Sequence, residues 1–263
     1  MLKIKQYVKA QSLEEAYTLC QKRGSVVLGG MLWLKMQNRT VGTAIDLCGL
    51  GLDTIEETDE AYCIGAMVPL RALETHPGLN AMTQNAMRDC LSPIIGVQFR
   101  NLATIGGSLW GRFGFSDPLT LFLALGAEVE LFHQGRLTLE EFLDRPNEAD
   151  ILVRVIVPKT AMQTAYLSQR NTATDFPTLT CAVCRRAGEL VCALGGRPGR
   201  AQLYRDENHI LAEGITEESA AAFGEDLARR AEFGSNLRGS AEYRQKISGV
   251  LVRRALLAMK EGE

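Results

Sequence analysis

Two glycine pairs constrain this chain more than any other feature of its sequence. Gly29-Gly30 follows the β-branched run SVVL, and Gly106-Gly107 lies within RNLATIGGSLWGRFGFSD at residues 100–117. Because glycine lacks a Cβ, such a pair lets the backbone adopt φ > 0 or approach a bulky anion closely. A lone Gly-Gly pair more often forms a plain tight turn, so the neighbouring residues decide the interpretation.

The residues around the second pair favour a ligand site. Thr104 and Ser108 carry hydroxyls that can donate hydrogen bonds to phosphate oxygens, and the amides of Gly106 and Gly107 can approach the same anion. Asp117 only accepts hydrogen bonds, which suits the hydroxyls of a ribityl or ribose chain. The stretch therefore predicts donors for a phosphate and an acceptor for a sugar.

The first pair closes a predicted strand and passes directly into a helical pattern in SVVLGGMLWLKMQ. A strand, a glycine turn and a helix N-terminus present free amides and the positive end of a helix dipole, which favours phosphate binding. The segment does not match the GxGxxG dinucleotide fingerprint, so a Rossmann fold is not favoured.

Composition argues against several function classes. The 263 residues carry a formal net charge of -2 and are 46% hydrophobic, which predicts a packed globular protein with no electrostatic footprint for nucleic acid or an anionic membrane. No apolar run approaches the roughly 20 residues that span a bilayer, and the N-terminus lacks a signal-peptide core. We therefore expect a cytoplasmic protein that binds neither nucleic acid nor a membrane.

The seven cysteines do not form a secreted disulfide framework. Cys181 and Cys184 form a CxxC pair, but they lie in the strand-like run LTCAVCRR, where residues three apart point to opposite faces. This placement favours core thiols over metal ligands. We also expect packing or surface roles for His76, His133 and His209, which lie beside turns or an acidic loop.

The order of predicted elements indicates an α+β fold. Strands and helices intersperse along residues 1–160, with one mostly helical stretch at 79–91. Three strands then form a meander, whose last two are joined by a tight Ala187-Gly188 turn. Two amphipathic helices follow, at 216–230 and 240–260. We therefore predict a compact second domain that begins after Pro158 to Ala161.

The two glycine turns together with RNLATIGGSLWGRFGFSD, DFPTLTCAV and NLRGSAEYRQKISGVLVRRAL resemble the flavoprotein (medium) subunit of the molybdenum hydroxylases. That family includes the xanthine dehydrogenase FAD subunit and the carbon monoxide dehydrogenase flavoprotein, and the resemblance covers nearly the whole chain. It implies a two-part FAD-binding domain of the p-cresol methylhydroxylase type at residues 1–160, with subdomains at about 1–55 and 56–160. The family's C-terminal domain, a small antiparallel sheet plus helices, would occupy residues 161–263.

The resemblance also implies a site for non-covalent FAD. Two loops would enclose the pyrophosphate, and Asp117 would meet the sugar part. Trp110 would lie beside the flavin ring, unless it is a plain core aromatic, and Leu152 or Val153 would line the opposite side. The loop residues so implied are Val27, Leu28, Gly29, Gly30, Met31 and Leu32 in the first loop and Thr104, Ile105, Gly106, Gly107 and Ser108 in the second.

Three departures from the family's pattern bear on affinity and redox tuning. Met31 stands where a small hydroxyl residue is common, and Ser108 where asparagine is frequent. Leu167 follows Tyr166 where the family often has a lysine near the pyrimidine edge of the flavin. Loss of that positive charge predicts a lower flavin reduction potential.

The function implied by the resemblance is that of an FAD-carrying electron-transfer subunit in a multi-subunit molybdenum hydroxylase. Its partners would be an iron-sulfur subunit and a molybdopterin subunit, which hold the [2Fe-2S] clusters and the molybdenum cofactor, and NAD or another acceptor would receive the electrons. The chain itself shows no four-cysteine pattern for a [2Fe-2S] cluster, no metal site and no catalytic nucleophile or base. Two alternatives stay open: a degenerate non-flavin docking module of such a complex, and a stand-alone flavin oxidoreductase.

Overall fold

The structure, a computed structural model, describes residues 1–261. The strands are β1 (Lys3–Lys9), β2 (Ser25–Leu28), β3 (Thr40–Asp46), β4 (Ile55–Glu57), β5 (Ala61–Gly65), β6 (Glu128–Leu131), β7 (Gly135–Thr138), β8 (Leu152–Pro158), β9 (Met162–Arg170), β10 (Pro177–Arg186), β11 (Glu189–Gly195) and β12 (Gln202–Arg205). The helices are α1 (Leu13–Cys20), α2 (Leu70–Thr75), α3 (Pro77–Met82), α4 (Ala86–Leu91), α5 (Val97–Arg100), α6 (Ile105–Trp110), α7 (Asp117–Ala124), α8 (Leu139–Asp144), α9 (Glu217–Arg230) and α10 (Ala241–Glu261). None of the helices within these residues is long and apolar enough to span a bilayer.

Packing divides the chain into two compact units, each assembled from three separate segments. Unit 1 holds residues 1–72, 97–111 and 127–158, and unit 2 holds residues 73–96, 112–126 and those from Lys159 onward. The two short segments of unit 2 therefore pack with the C-terminal part of the chain, although the predicted FAD-binding domain includes them. The sequence boundary near residue 160 stays a prediction.

Unit 1 contains two sheets. A parallel sheet has the strand order β1-β3-β2, and a five-stranded antiparallel sheet has the order β4-β5-β8-β6-β7. In the parallel sheet, Ile45 pairs with Val8 on one side and with Val27 on the other. Because parallel strands end at a common edge, the loop after β2 leaves the sheet beside the end of β3. The first glycine pair is thus placed at the carboxyl edge of a parallel sheet, where ligand sites are frequent in α/β proteins.

Unit 2 is built around the antiparallel sheet β12-β11-β10-β9, which α4, α7 and α10 pack against. The first eight residues of β10 are all buried. Cys181 and Val183 face a cluster that includes residues of α9 and α10, whereas the Thr180 hydroxyl meets Thr120 of α7 at 2.8 Å. Helices therefore cover both faces of this strand, which explains why its first eight residues are all buried.

The α+β class, the meander and the two long C-terminal helices are confirmed. One local prediction was wrong, because the first glycine pair leads only to a three-residue 3-10 helix (Leu34–Met36). The mostly helical stretch at 79–91 is confirmed as α3 and α4, which separate where Gln84 and Asn85 adopt φ of 50° and 67°. The second pair lies in the first turn of α6, with helical rather than positive φ. The short strands β4 and β12 were not predicted.

Arg244 ties several segments of unit 2 together from within α10. Its side chain is fully buried, and its guanidinium donates to neutral oxygen acceptors on β10, on the segment after β11 and on the loop between the last two helices. The acceptors are the carbonyls of Thr178 (2.9 Å), Gly196 (3.0 Å), Gly234 (2.8 Å) and Gly239 (2.5 Å) and the Oδ1 atom of Asn236 (2.7 Å). Removing the guanidinium would leave the buried carbonyls of Thr178 and Gly196 without these donors, whereas the other three acceptors are more exposed.

We expect Arg244→Met to lower the free energy of unfolding by about 3 kcal/mol or more, because each buried acceptor left unsatisfied costs about 1–3 kcal/mol. Arg253→Met is the matched control on the same helix. Arg253 forms an exposed ion pair with Glu217, which is worth less than about 1 kcal/mol. Urea unfolding of both variants measures the difference, and equal losses would refute the role assigned to Arg244.

Candidate functional site

The two glycine loops lie directly against each other in unit 1. A Cβ placed on Gly30 would lie 1.9 Å from the carbonyl oxygen of Leu102, and one on Gly29 would lie 2.8 Å from the Oγ1 atom of Thr104. The contact at Gly30 is backbone against backbone, so no side chain fits there without moving a loop. The first and second loops therefore form one continuous surface.

The second loop uses its own amides within the protein. Thr104 caps α6, and its Oγ1 atom accepts from the Gly107 amide at 3.2 Å. The Gly106 amide donates to the carbonyl of Ala66 at 2.9 Å, and the Ile105 amide donates to the carbonyl of Val68 at 3.0 Å. The glycine amides of this loop therefore have partners within the protein, and the contact of the loop with a phosphate stays a prediction.

The Ser108 hydroxyl is likewise engaged, since it donates to the carbonyl of Thr104 at 2.9 Å. Close packing requires glycine at position 106, because a Cβ on Gly106 would lie 2.6 Å from the carbonyl oxygen of Ala66. Gly107 differs. It is exposed, and a Cβ there would meet only the Oγ1 atom of Thr104, at 3.2 Å. Gly107 therefore leaves an open space beside the first loop that a side chain would fill.

The first loop supplies the free donors. Within residues 1–261, the amides of Gly30, Met31 and Leu32 donate no hydrogen bond to another protein group. Three consecutive unsatisfied amides beside a parallel-sheet edge form a suitable environment for an anion. Val27 and Leu28 end β2 immediately before this run, so the sheet holds its starting point. These residues fit a pyrophosphate through their backbone.

Met31 takes part through its main chain. Its φ of 58° lies in the left-handed region, which few residues other than glycine and asparagine adopt and which costs on the order of 1 kcal/mol or more. Its side chain packs against Leu28, Val41 and Ala44, and its carbonyl accepts from the Lys35 amide at 3.0 Å. The apolar side chain thus anchors a strained backbone instead of donating a hydrogen bond.

The residues predicted beside the flavin ring also belong to unit 1. Trp110 ends α6 and is half-buried, and its ring packs against Phe142 with centroids 5.8 Å apart. Leu152 and Val153 start β8, which packs against α6, and they keep only 6% and 5% of their surface exposed. Both roles considered for Trp110 are compatible with this position, and the three contacts with the ring stay predictions.

Asp117 lies in unit 2, as the first residue of α7. It is buried, and its Oδ1 atom accepts from the Tyr166 hydroxyl at 2.5 Å and from the Arg170 guanidinium. Tyr166 and Arg170 both come from β9. Neither was predicted, because nothing local in the sequence shows that a tyrosine and an arginine in one strand would reach a helix start 49 and 53 residues earlier.

Burial raises the pKa of Asp117 to about 6, against the lowering by the Arg170 charge and by hydrogen bonds from Tyr166 and Arg170. The pKa of the Cys90 thiol, in α4, is raised well above its ordinary value, chiefly by burial and then by the charge of Asp117. The pKa of Tyr166 is raised for the same reasons. Asp117 is thus an ionised acceptor at neutral pH that protonates under mildly acidic conditions.

The remaining candidates lie in structural environments. Leu167 packs against the core of unit 2 next to Cys181, whose sulfur is 3.8 Å from that of Cys192. Cys184 points to the other face of β10 and accepts from the Thr164 hydroxyl at 3.4 Å. His76 caps α3, and His133 stacks on Tyr17. No group of three or more potential metal ligands comes together in the described part of the chain.

Comparison with known proteins identifies a family that matches more than half of the chain. Residues 2–160 match the FAD-binding domain of molybdopterin dehydrogenases. The chain is similar to the uncharacterized protein YgfM of Escherichia coli K12, at 29% identity over 95% of this chain and 94% of that protein. It is also similar to the nicotine 6-hydroxylase medium subunit of Paenarthrobacter nicotinovorans, at 27% identity over 95% of each chain.

Among solved structures, the fold is similar to a chain of carbon monoxide dehydrogenase from Hydrogenophaga pseudoflava, in a form that lacks the Mo-pyranopterin moiety of its molybdenum cofactor. The TM-score is 0.87, the sequence identity is 25%, and 97% of each chain is covered. The similarity therefore extends through both units and well beyond residues 2–160.

The raised pKa of Asp117 predicts a pH-dependent stability of the flavin-free protein. A carboxyl whose pKa is higher in the folded chain contributes stability that is fully present below the unfolded pKa, about 4, and is lost as the pH rises through about 6. We expect the wild type to gain up to about 3 kcal/mol relative to Asp117→Asn between pH 7.5 and pH 4. Urea unfolding at several pH values measures this difference, and a constant difference would contradict it.

Proposed function

The chain belongs to the family of FAD-binding domains of molybdopterin dehydrogenases, and from that membership we propose that it is the FAD-carrying electron-transfer subunit of a molybdenum hydroxylase complex. FAD is the cofactor of this family. The observation that carries the proposal is the surface formed by the two glycine loops, where three free amides follow Gly29 and a Cβ on Gly29 would lie 3.8 Å from the Cα atom of Gly107.

We assign the pyrophosphate to the first loop and to the hydroxyl of Thr104. The amides of Gly30, Met31 and Leu32 have hydrogen-bonding capacity that the described protein does not use. The Oγ1 atom of Thr104 accepts from the Gly107 amide, which leaves its proton available for a phosphate oxygen. The two negative charges of the pyrophosphate would thus be bound by the amide dipoles of the first loop and by the hydroxyl of Thr104, as in other backbone anion sites.

We assign the sugar part of FAD to Asp117. Its carboxylate can only accept, so it suits a hydroxyl donor, and a pKa of about 6 leaves it ionised at neutral pH. We further assign Trp110, Leu152 and Val153 to the surroundings of the flavin ring, where apolar contacts exclude water. None of these residues is a nucleophile or a general base, so the chain's part is binding, orientation and electrostatic tuning.

When bound, FAD would supply two-electron redox chemistry that can also proceed in single-electron steps. In the proposed complex, a partner subunit with iron-sulfur clusters delivers electrons, a molybdopterin subunit oxidises the substrate, and NAD or another acceptor receives the electrons. The medium-subunit designation of the nicotine 6-hydroxylase relative and the molybdenum cofactor named for the carbon monoxide dehydrogenase support this assignment.

Purification from native extract tests the proposal. We expect a yellow protein that releases FAD on denaturation and that copurifies with iron, molybdenum and two further subunits. A colourless protein that takes up no added FAD but still copurifies with such subunits would favour the non-flavin docking module. Turnover with an electron donor and acceptor in the absence of partners would favour the stand-alone oxidoreductase.

Substitution of Gly107 separates binding from folding. Because glycine is a poor helix former, Gly107→Ala should raise the free energy of unfolding of the apo protein by up to about 1 kcal/mol and thus raise its melting temperature slightly. The same methyl group enters the open space beside the first loop, so FAD should bind more weakly. We expect about a tenfold weaker FAD affinity for Gly107→Ala and no detectable binding for the larger Gly107→Val, measured by flavin fluorescence.

The control is the stability of the apo proteins. Both variants should melt at or near the wild-type temperature, because the described structure offers no backbone clash at this position. Gly30→Ala is the contrasting variant, since its methyl group would meet the Leu102 carbonyl and destabilise the apo protein itself. Wild-type FAD affinity in Gly107→Val would disprove the placement of the pyrophosphate.

A further inference from the structure

Asp117 is held by two side chains of one strand. The Tyr166 hydroxyl donates to its Oδ1 atom at 2.5 Å, and the Arg170 guanidinium donates to the same oxygen. The side chains of Arg170 and Asp117 keep only 9% and 5% of their surface exposed. Arg170 also donates to the carbonyl of Asp175, so it connects the helix start to the loop after β9.

Both donors converge on one carboxylate oxygen. Tyr166 and Arg170 both donate to Oδ1, and no side chain of the described residues donates to the Oδ2 atom of Asp117. A carboxylate has about four lone-pair sites, and a surface ion pair would distribute its donors over both oxygens as its side chains move. Here two side-chain donors from one strand hold Oδ1, and Oδ2 is the carboxylate oxygen to which no described side chain donates.

We propose that Tyr166 and Arg170 are positioning residues that orient the carboxylate of Asp117 so that its Oδ2 atom accepts a hydroxyl of the FAD sugar chain. The inference rests on the proposed function, because it assigns the binding of that same cofactor to residues of β9. The hydrogen bond from Tyr166 sets the orientation of the Asp117 carboxylate. The positive charge of Arg170 helps to keep this buried carboxylate ionised. Neither residue touches FAD in this arrangement, so neither is a catalytic residue.

The arrangement also predicts how FAD affinity depends on pH. An ionised Asp117 is the stronger acceptor, so affinity should fall as the pH drops through about 6. The groups near Asp117 are Tyr166 and Arg170 from β9 and the Cys90 thiol from α4. The charged groups of other packed strands are engaged elsewhere, since Arg186 of β10 donates to the carbonyl of Ala124, and Glu189 of β11 pairs with Arg205 of β12.

The test is FAD titration of the full chain, with Tyr166→Phe as the main variant. Loss of one directing hydrogen bond should weaken FAD binding about 3–10-fold at pH 7.5. Because the tyrosine hydrogen bond lowers the pKa of Asp117, its removal should also move the midpoint of the affinity loss to higher pH. A purely structural tyrosine would shift neither the affinity nor this midpoint.

Thr120→Val is the matched control, because it removes a buried hydrogen bond from the same helix without touching Asp117. The Thr120 hydroxyl meets that of Thr180 at 2.8 Å. This variant should lose stability comparable to that lost by Tyr166→Phe, yet bind FAD with wild-type affinity and pH midpoint. Equal FAD affinities for Tyr166→Phe and Thr120→Val would overturn the inference.

A double-variant cycle shows whether Tyr166 acts through Asp117. If it does, Tyr166→Phe should weaken FAD binding no further in a protein that already carries Asp117→Asn. Additive losses would mean that Tyr166 contributes independently of Asp117, and the inference would fail. Failure of the wild type to bind FAD at all would instead overturn the proposed function, so the two failures are distinguishable.

Discussion

Direct backbone contact between the two glycine loops is the constraint on which the candidate site depends. Where the chain passes Gly30, the carbonyl of Leu102 occupies the space that any side chain would need. The relative position of the loops is therefore set by main-chain atoms, which have no rotamers to lose when a ligand binds. If FAD binds at the site that we propose, this surface is already ordered, so little binding energy is spent on ordering it.

The two loops contribute differently to this surface, although both contain a glycine pair. The second loop uses its amides to cap α6 and to hold the segment around Ala66, so it acts as a wall with an available hydroxyl. The first loop has no regular helix to satisfy its amides, and this absence leaves them available. No regular helix follows Gly30, contrary to the sequence prediction, and this leaves the amides of the first loop available for the pyrophosphate in the site that we propose.

Much of the fold follows from local sequence signals. Ser12, Ser116 and Thr216 begin helices because their hydroxyls accept from amides in the first turn, and short runs rich in apolar residues mark the strands of the meander. The site followed only in part. Which amides are free depends on acceptors such as Ala66 and Val68, which lie about 40 residues away from α6 in sequence, and the positive φ of Met31 has no sequence signature. The partners of Asp117 likewise come from a strand that folds against it from far along the chain.

The division of unit 2 into three segments has a consequence for synthesis of the protein. The helices α4 and α7 are translated before the strands β9 to β11 that cover them, and they include fully buried Met87, Leu91 and Phe122. At about 5–20 residues per second, these apolar faces wait on the order of ten seconds for their sheet. During synthesis there is therefore a stage at which the segments of unit 1 are complete while the apolar faces of α4 and α7 in unit 2 are still exposed to chaperones.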